Sequence, residues 1–377
     1  MEYVKLEEIC TIVSGGTPSR SKPNYWNNGK IPWIKIKDMK SKYIDSAEEF
    51  ITEEGLNNSS TKMLKSDTIL YSIFATLGEV GILKIDACTN QAIAGLSLKE
   101  DSNILKEYLY YYLKSKKKDV NNLGRGVAQN NINLSLLRKL KIPVMPLHQQ
   151  ETIVEVLDNV SSTMNNYERE LELLEELVKA RFVEMFGDPI ENQKDWEVVK
   201  IRDIVTDVRY GTSKPAVEGG RYPYLRMNNL TVDGGLDLSD LKYIDIPDNE
   251  IEKCVVRKGD ILFNRTNSID LIGKIAVYNL LDDMVIAGYI IRIRLNNQIL
   301  PDVFSQYMNL EAMKKVLRGM AKGAVNQANI NAQELQSIKV YIPNMELQKQ
   351  YVEFKEEIDK SRLLSNHSLF LIKSITF

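Results

Sequence analysis

Apolar residues recur in alternating steps of four and three through the middle of this 377-residue chain. A period of 3.5 residues between acidic flanks is typical of the contact face of a coiled coil. Arg181 alone breaks this face, and no proline or glycine intervenes before Gly187-Asp188-Pro189. The pattern predicts one long helix over residues 146–186. Its apolar face is formed by Ile153, Leu157, Val160, Met164, Tyr167, Leu171, Leu174, Val178 and Met185.

A second, poorer helix is predicted over residues 346–377. Tyr351, Phe354 and Ile358 keep the spacing, three serines follow, and Ile372 resumes it. Two such helices predict an antiparallel coiled coil with Phe354, Ile358 and Ile372 at the interface. The alternative is that each amphipathic helix packs only on its own domain.

The remaining sequence contains short β-rich runs bounded by Gly, Asn and Pro, interrupted by helical stretches. The predicted strands include Ile31–Ile36, Thr68–Ser72, Val80–Ile85, Ile261–Asn264, Lys274–Tyr278 and Tyr289–Leu295. The predicted helices are Ile104–Lys117 and Val303–Leu317. This pattern predicts an α+β fold with mixed, mostly antiparallel sheets.

The chain also contains an internal repeat with a period near 200 residues, which indicates a domain duplication. The matching segments begin at an offset of 195 and end at 200: Val4–Ile9 with Val199–Ile204, Gly16-Thr17 with Gly211-Thr212, Gly126…Gln129…Ile132-Asn133 with Gly323…Gln327…Ile330-Asn331, Ile142-Pro143 with Ile342-Pro343, and Leu147–Gln150 with Leu347–Gln350. We therefore predict two tandem modules, residues 1–145 and 187–345, each followed by its long helix.

Composition narrows the range of functions. Three well-separated cysteines, without a CxxC motif, and only two histidines argue against disulfides, zinc and haem. The charged N-terminus does not resemble a signal peptide, and no apolar run is long enough for a bilayer. The expected location is the cytoplasm. The net charge of −2 hides an asymmetry, because residues 1–145 carry +5 and residues 146–186 carry −6. A basic module permits a polyanionic partner, although excess lysines are often only solvated surface.

Motifs for catalysis are missing from the sequence. It has no GxxxxGK[ST] loop for nucleotide phosphates, and no FxGxG loop with the tetrad that adenine methylation requires. Phe186-Gly187-Asp188-Pro189 is interpreted as a helix stop, and Asp188…Glu191…Lys194 has the wrong order for a metal-dependent nuclease. We therefore expect a protein that is not an enzyme by itself and that holds no metal or cofactor.

Several segments together resemble the specificity subunit of type I restriction–modification systems. In the first half they are Gly15-Gly16-Thr17-Pro18-Ser19, Ile31-Pro32-Trp33-Ile34, Gly126…Gln129-Asn130-Asn131-Ile132, Ile142-Pro143…Gln149-Gln150 and Phe182…Met185-Phe186-Gly187-Asp188. In the second half they are Gly211-Thr212-Ser213-Lys214, Pro223–Asn229 and Gly323…Asn326-Gln327…Ile330. The second module departs from the pattern, because no proline follows its Gly-Thr pair.

The resemblance implies two target recognition domains, each reading one half of a bipartite site in double-stranded DNA. The coiled coil would separate them and bind methyltransferase subunits, two in number. Restriction subunits would join through the complex. S-adenosylmethionine, ATP and Mg²⁺ would belong to those partners. A protein scaffold and a stand-alone DNA-binding regulator are the alternatives, since a scaffold needs no polar loops and a regulator needs no long apolar face.

Base edges are read by Arg, Lys, Asn and Gln, and phosphates also by Ser and Thr. In the first module the candidate DNA contacts are Thr17, Ser19, Arg20, Lys22, Lys35, Lys37, Arg125, Gln129 and Asn130. In the second they are Lys214, Arg226, Asn228, Arg265, Asn267, Lys322, Asn326 and Gln327. The alternatives are an exposed turn for residues 17–22 and an ordinary amphipathic edge strand for Lys35 and Lys37. Asn133 and Asn331 are expected to be structural, as N-caps of the next helix.

Overall fold

A computed structural model of the chain describes residues 2–119, 133–324 and 327–376. It divides into two compact units, one of residues 1–166 with 371–377 and the other of residues 167–370. The long helix that follows the first module crosses this division.

The first unit contains three sheets and a layer of helices. Its elements, in order, are β1 (Glu2–Lys5), α1 (Leu6–Ile9), β2 (Cys10–Ser14), β3 (Ile31–Ile34), β4 (Tyr43–Ile44), β5 (Glu49–Ile51), α2 (Glu53–Asn57), β6 (Ile69–Ser72), β7 (Val80–Leu83), β8 (Cys88–Thr89), β9 (Ile93–Leu98), α3 (Lys106–Ser115), α4 (Leu134–Arg138), β10 (Lys141–Val144) and the long helix α5 (Leu147–Phe186). The sheets have strand orders β2-β9-β6-β7-β4, β5-β3-β8 and β1-β10.

The second unit repeats this arrangement. Its elements are β11 (Glu197–Lys200), β12 (Val205–Tyr210), β13 (Tyr222–Leu225), β14 (Lys242–Ile244), α6 (Ile251–Cys254), β15 (Val255–Val256), β16 (Ile261–Asn264), β17 (Thr266–Asn267), β18 (Ile275–Val277), β19 (Met284–Ile286), β20 (Ile290–Leu295), α7 (Pro301–Asn309), α8 (Glu311–Met320), β21 (Lys322–Ala324), β22 (Gln327–Asn329), α9 (Ala332–Ser337), β23 (Lys339–Ile342) and the long helix α10 (Met345–Thr376). The sheets are β12-β20-β16-β18, β14-β13-β19-β15, β17-β22-β21 and β11-β23.

The strand pairings confirm the duplication. The antiparallel order β2-β9-β6-β7 recurs as β12-β20-β16-β18, and β1-β10 recurs as β11-β23. The short parallel pair β3 and β8 recurs as β13 and β19. Most pairs are antiparallel, which confirms the predicted α+β fold with mixed sheets.

Each core lies between the larger sheet and the helices that follow it. In the first unit Ile69, Tyr71 and Leu96 of the sheet pack with Leu109 and Leu113 of α3. Strand β6 is buried along its whole length, because a helix covers one face and the smaller sheet the other. A continuous apolar run is the sequence pattern expected for such a strand.

Two predicted elements are wrong in detail. The strand predicted over Ile31–Ile36 ends at Ile34, and a 3₁₀ turn over Ile36–Asp38 follows it. Lys35 and Lys37 therefore do not alternate along a basic strand face. The helix predicted over Val303–Leu317 consists of α7 and α8, which are separated by extended backbone at the buried Leu310. The apolar spacing of the sequence continues across Leu310, so the break between the two helices cannot be predicted from that pattern.

The burial pattern of α5 follows the predicted heptad face. Every predicted position from Ile153 to Leu174 is half-buried, Val178 is buried, and most residues between them are exposed. Toward the end of α5 burial moves onto Phe182 and Phe186, which the prediction did not include. Gly187 then ends the helix with a φ of +86°, a left-handed conformation that glycine adopts without penalty.

Within the second unit, α5 and α10 pack antiparallel. The Tyr351 ring lies 5.3 Å from that of Phe182, and farther along α10 the Ser365 hydroxyl donates to Glu170 at 2.9 Å. The predicted interface residues Phe354 and Ile358 pack against this cluster, and Arg181 lies 5.9 Å from the Phe354 ring centroid. Ile372 is half-buried.

Two buried glutamines attach the long helices to their modules. The Gln150 amide oxygen accepts from Leu105 N–H at 2.9 Å, and its nitrogen donates to Asn103 O and Met145 O, both at 2.8 Å. Gln348 makes the same three bonds, with Leu300 N–H and with Gln298 O and Pro343 O. Gln150 therefore corresponds to Gln348, an offset of 198 rather than the predicted 200.

The N-caps fit this register. Asn133 accepts a hydrogen bond from Leu136 N–H at 2.9 Å, and Asn331 accepts from Gln333 N–H and Glu334 N–H at the same distance. The structural role predicted for both asparagines is confirmed.

Replacing either glutamine by alanine, as Gln150→Ala or Gln348→Ala, should lower the free energy of unfolding by about 2–4 kcal/mol, at about 1 kcal/mol for each buried hydrogen bond. Urea unfolding measures this. The exposed neighbour Gln149→Ala is the matched control and should change stability by less than about 0.5 kcal/mol. Equal effects of Gln149→Ala and Gln150→Ala would contradict the assignment.

Candidate nucleic-acid interface

In each module three strand ends meet at one edge of the larger sheet. In the first module Gly15, which follows β2, donates its N–H to Ile93 O at 3.0 Å. Ile73, which follows β6, donates to Ala92 O at 2.8 Å, and Gly16 donates to Thr89 O at 2.9 Å. The loops at this edge are therefore fixed by backbone bonds to one another.

The second module forms the same edge with different side chains. Gly211 donates to Ile290 O at 3.1 Å, Arg265 to Tyr289 O at 2.9 Å and Thr212 to Ile286 O at 2.9 Å. These bonds pair Gly15 with Gly211 and Gly16 with Thr212, so the predicted match of Gly16-Thr17 with Gly211-Thr212 is one residue out. The cause is a β-bulge between Val205 and Asp207, which adds one residue to β12.

Close backbone packing explains the glycine at this point. A Cβ atom on Gly15 would lie 2.1 Å from Asn90 O, and one on Gly211 would lie 2.2 Å from Ile286 O. Below the loop a buried aromatic residue supports it in both modules. Trp33 donates from Nε1 to Gly16 O at 3.0 Å, and Tyr224 donates from its hydroxyl to Thr212 O at 3.1 Å.

At this edge the second module has a cleft of about 430 Å³. Four predicted contact residues line it: Lys214, Arg226, Asn228 and Arg265. They come from three separate segments of the chain, and the half-exposed Tyr289 completes one side. A concave surface with convergent donors suits a polar ligand that carries acceptors.

Two of these cations already have partners. Lys214 pairs with Glu250 at 2.8 Å, and Arg226 pairs with Asp240 at 2.8 Å. Because hydrogen bonds from Arg226 and Lys242 favour its ionised form, the pKa of Asp240 lies below its usual value. Both pairs are partly exposed, so each can be exchanged for a ligand at modest cost.

Arg265 differs from them. Its guanidinium lies 4.9 Å from the centroid of the Tyr210 ring, and its Nε, like that of Arg226, is buried without a hydrogen-bond partner. Among residues 2–119, 133–324 and 327–376, no carboxylate forms an ion pair with it. The Tyr210 hydroxyl is itself fixed, since it accepts from Ala332 N–H at 2.8 Å. The guanidinium is thus oriented, but its buried Nε–H has no acceptor among the described residues.

The small sheet β17-β22-β21 connects Arg265 to the last motif of the module. Asn267 lies opposite Ala328 and donates from Nδ2 to Asn264 Oδ1 at 2.9 Å. Gln327 is exposed at the start of β22, and Lys322 pairs with Glu334 at 2.5 Å. The sheet therefore brings Asn267, Lys322 and Gln327 to the strand that follows Arg265. Asn326 lies outside the described residues.

The predicted cations of the first module are largely neutralised by two glutamates. Glu49 pairs with Arg20 at 2.5 Å and with Lys35, and Glu48 pairs with Lys37. Although burial opposes ionisation of Glu49, the hydrogen bonds from Lys35 and Arg20 hold its pKa below the usual value. The Arg20 guanidinium also stacks 3.6 Å from the Trp26 ring centroid. These residues form one ordered cluster rather than a free basic loop.

The other predicted residues of the first module make short-range polar contacts. Thr17 donates to the Gln91 side chain, Ser19 and Ser21 lie 2.8 Å apart, and Lys22 donates to the Tyr25 hydroxyl at 2.9 Å. The position of Arg265 is taken here by the buried Ile73. Arg125, Gln129 and Asn130 lie outside the described residues.

Sequence reasoning missed Tyr210, Tyr289, Gln91 and the acidic partners. Tyr210 directly precedes Gly211, and that adjacency was the available signal. Within the part of the chain that the structure describes, no cluster of His, Cys, Asp and Glu could hold a metal ion. None of the described helices combines the length and the hydropathy that a membrane span requires.

The fold is a duplicated α+β module in which each copy carries a long helix at its C-terminal end. The family described as "Type I restriction modification DNA specificity domain" matches residues 1–176 and 193–371. The chain belongs to this family.

Three relatives illustrate the match. The chain is 35% identical over 183 residues to the Escherichia coli "Type I restriction enzyme EcoR124I/EcoR124II specificity subunit", covering 46% of this chain and 45% of the relative. It is 28% identical over 260 residues to the Methanocaldococcus jannaschii "Type I restriction enzyme MjaIX specificity subunit", covering 63% and 59%. The aligned parts thus span about half the length of these relatives. The crystal structure of the "Type-I restriction-modification system S subunit from M. genitalium" shares the fold, with a TM-score of 0.56 and 15% identity over 100% of this chain and 93% of that chain.

The close approach at Gly211 yields a stability prediction. Gly211→Ala should lower the free energy of unfolding by about 1–3 kcal/mol, because the new methyl group overlaps a backbone carbonyl. Gly319 in α8 has open space around its Cβ position and is the matched control. Gly319→Ala should leave stability unchanged or raise it by up to about 1 kcal/mol, as alanine favours a helix. Urea unfolding of both variants checks this, and a neutral Gly211→Ala would show that the loop can move aside.

Proposed function

We propose that the chain is the sequence-specific DNA-binding subunit of a type I restriction–modification complex. Each module, residues 1–145 and residues 187–345, reads one half of a bipartite target in double-stranded DNA. The chain is not catalytic by itself, and S-adenosylmethionine, ATP and Mg²⁺ act on partner subunits. Membership of the specificity-domain family supports this assignment.

One observation carries the DNA-binding part of the proposal. Arg265 is oriented by Tyr210, is not paired with a described carboxylate, and lies in a cleft with Lys214, Arg226 and Asn228. Arginine binds the O6 and N7 atoms of guanine with two hydrogen bonds, the commonest specific contact in the major groove. A guanidinium held in place before binding loses less conformational freedom on contact. We assign Arg265 as the principal base-reading residue of the second module.

The proposed partners are methyltransferase subunits, with restriction subunits joining through the complex. On α10 the apolar residues Leu363, Leu364 and Phe370 have 71%, 70% and 67% of their surface exposed. They follow helical spacing, and exposed apolar surface of this kind marks protein interaction sites. Hydrophobic contact with a helical face of a methyltransferase subunit would bury them.

The DNA-binding proposal is tested by selection from a pool of randomised duplexes with the full-length chain, alone and with its methyltransferase subunit. Arg265→Ala should weaken binding to the selected sequence by about 1–3 kcal/mol and abolish the preference at one position of one half-site. If Arg265 contacts a phosphate instead, affinity should fall for every sequence and the salt dependence should become shallower.

Arg202→Ala is the matched control. Arg202 is exposed and precedes β12, and the cleft lies at the other end of that strand. At ~3.3 Å per strand residue, β12 separates Arg202 from the cleft by about 20 Å. It should leave the selected sequence and the affinity unchanged. Failure of the wild-type chain and of its methyltransferase complex to enrich any sequence would refute the proposed function.

A second prediction concerns the partner. Leu363→Asp should weaken binding to the methyltransferase subunit at least ~10-fold, because a buried charge replaces an apolar contact. Size-exclusion chromatography and calorimetry measure it. Leu281→Asp, at a loop leucine that is 88% exposed, is the control and should bind normally. Normal assembly of the Leu363→Asp variant would show that the methyltransferase subunit docks on a different surface.

A further inference from the structure

A buried lysine lies directly beneath the cleft of the second module. The Lys274 side chain is 8% exposed, and its ammonium donates to Met227 O at 2.7 Å and to Leu230 O at 2.6 Å. Within the described part of the chain, Lys274 forms no ion pair with a carboxylate. Burying an unpaired ammonium is unfavourable, so packing alone does not account for a lysine at this position.

The two carbonyls belong to the turn that carries the cleft residues. Met227–Asn229 form a 3₁₀ turn, with Arg226 as its N-cap. Asn229 closes the turn from one side, because its Oδ1 accepts from Arg226 N–H at 2.8 Å and its Nδ2 donates to Asp237 O at 2.8 Å. Lys274 binds the Met227 and Leu230 carbonyls, while the side chains of Arg226 and Asn228 line the cleft.

The first module differs both in the residue at this position and in the chain that follows the turn. Ser72 N–H donates to Glu79 O, as Asn264 N–H donates to Lys274 O, so Glu79 occupies the position of Lys274. There the chain after the turn forms β4, which pairs with β7, and Ile82 N–H donates to Lys42 O at 2.8 Å. The larger sheet of the second module has no strand equivalent to β4 among its described residues. In that module the ammonium of Lys274 binds the carbonyls of the turn directly.

We propose that Lys274 is a positioning residue for recognition by the second module, and that it acts by fixing the turn that presents Arg226 and Asn228 to the DNA bases. This inference rests on the proposed function. Lys274 itself does not contact DNA. Its ammonium has three donors, two of which bind carbonyls of the turn. One side chain therefore fixes the position and orientation of the turn that carries both contact residues. Base readout requires contact residues whose positions are fixed by interactions with the rest of the protein.

The test uses the full-length chain and the pool of randomised duplexes. Lys274→Met removes the donors and keeps the length and the apolar stem. The preference at the positions read by Arg226 and Asn228 should be lost, and affinity for the wild-type sequence should fall about 10-fold. The half-site read by the first module should be unchanged within the same molecule. An unaltered second half-site would overturn the proposal.

Lys314→Met is the matched control for loss of a half-buried lysine that binds a backbone carbonyl. The Lys314 ammonium donates to Gly273 O at 2.6 Å, and burial lowers its pKa to about 7. Lys314 does not line the cleft. Its substitution should keep both half-sites. If Lys314→Met changes specificity as Lys274→Met does, Lys274 has only a structural role and the proposal fails.

Lys274→Arg tests rescue, because arginine keeps the charge and the donors. It should recover most of the selectivity that Lys274→Met loses, and a result no better than methionine would contradict the proposal. Amide hydrogen exchange without DNA gives an independent readout. Residues 226–231 should exchange faster in Lys274→Met than in wild type or Lys314→Met, and unchanged exchange would overturn the positioning role. If the wild-type chain selects no sequence but the exchange result holds, the proposed function fails and the support of the turn by Lys274 stands.

Discussion

The arrangement of each module depends on a backbone approach that leaves no room for a side chain. Gly15 and Gly211 lie so close to the neighbouring loop carbonyls that a Cβ atom would overlap them. This approach allows three backbone hydrogen bonds to join the ends of β2, β6, β8 and β9, and of β12, β16, β19 and β20. Backbone bonds do not depend on side-chain identity, so the edge keeps its shape while the residues on it change.

That independence explains how the two copies diverged. Ile73 and Arg265 occupy the same backbone position, as do Glu79 and Lys274. In both pairs the residue of the second module is a cation: Arg265 lines the cleft, and Lys274 supports the turn beside it. The corresponding residues of the first module, Ile73 and Glu79, are not cations. Under the proposed function, two copies with one frame and different surface chemistry would read different sequences, since base contacts specify and the frame only positions them.

The sequence predicted the architecture well because its strongest signals are periodic. The helix stop at Gly187 and the N-caps Asn133 and Asn331 depend on local spacing, and both are confirmed. The burial of α5 follows the predicted heptad spacing as far as Val178. The repeat register was less accurate, because the bulge before Asp207 changes the offset without altering the local pattern. The break at Leu310 was missed for a similar reason, since the buried leucine continues the apolar spacing.

The candidate site was harder to predict, because it depends on contacts between distant segments. A cation in a loop has the same sequence signature whether it is free or paired. Only the folded structure separates the two cases. Glu49 pairs with Arg20 and Lys35, whereas the Tyr210 ring orients Arg265. In the second module, the cations paired with exposed carboxylates can exchange partners, whereas Arg265 is paired with none of the described carboxylates. The charge that the candidate site presents is therefore a property of pairing within the fold, and the overall charge of −2 carries little information about it.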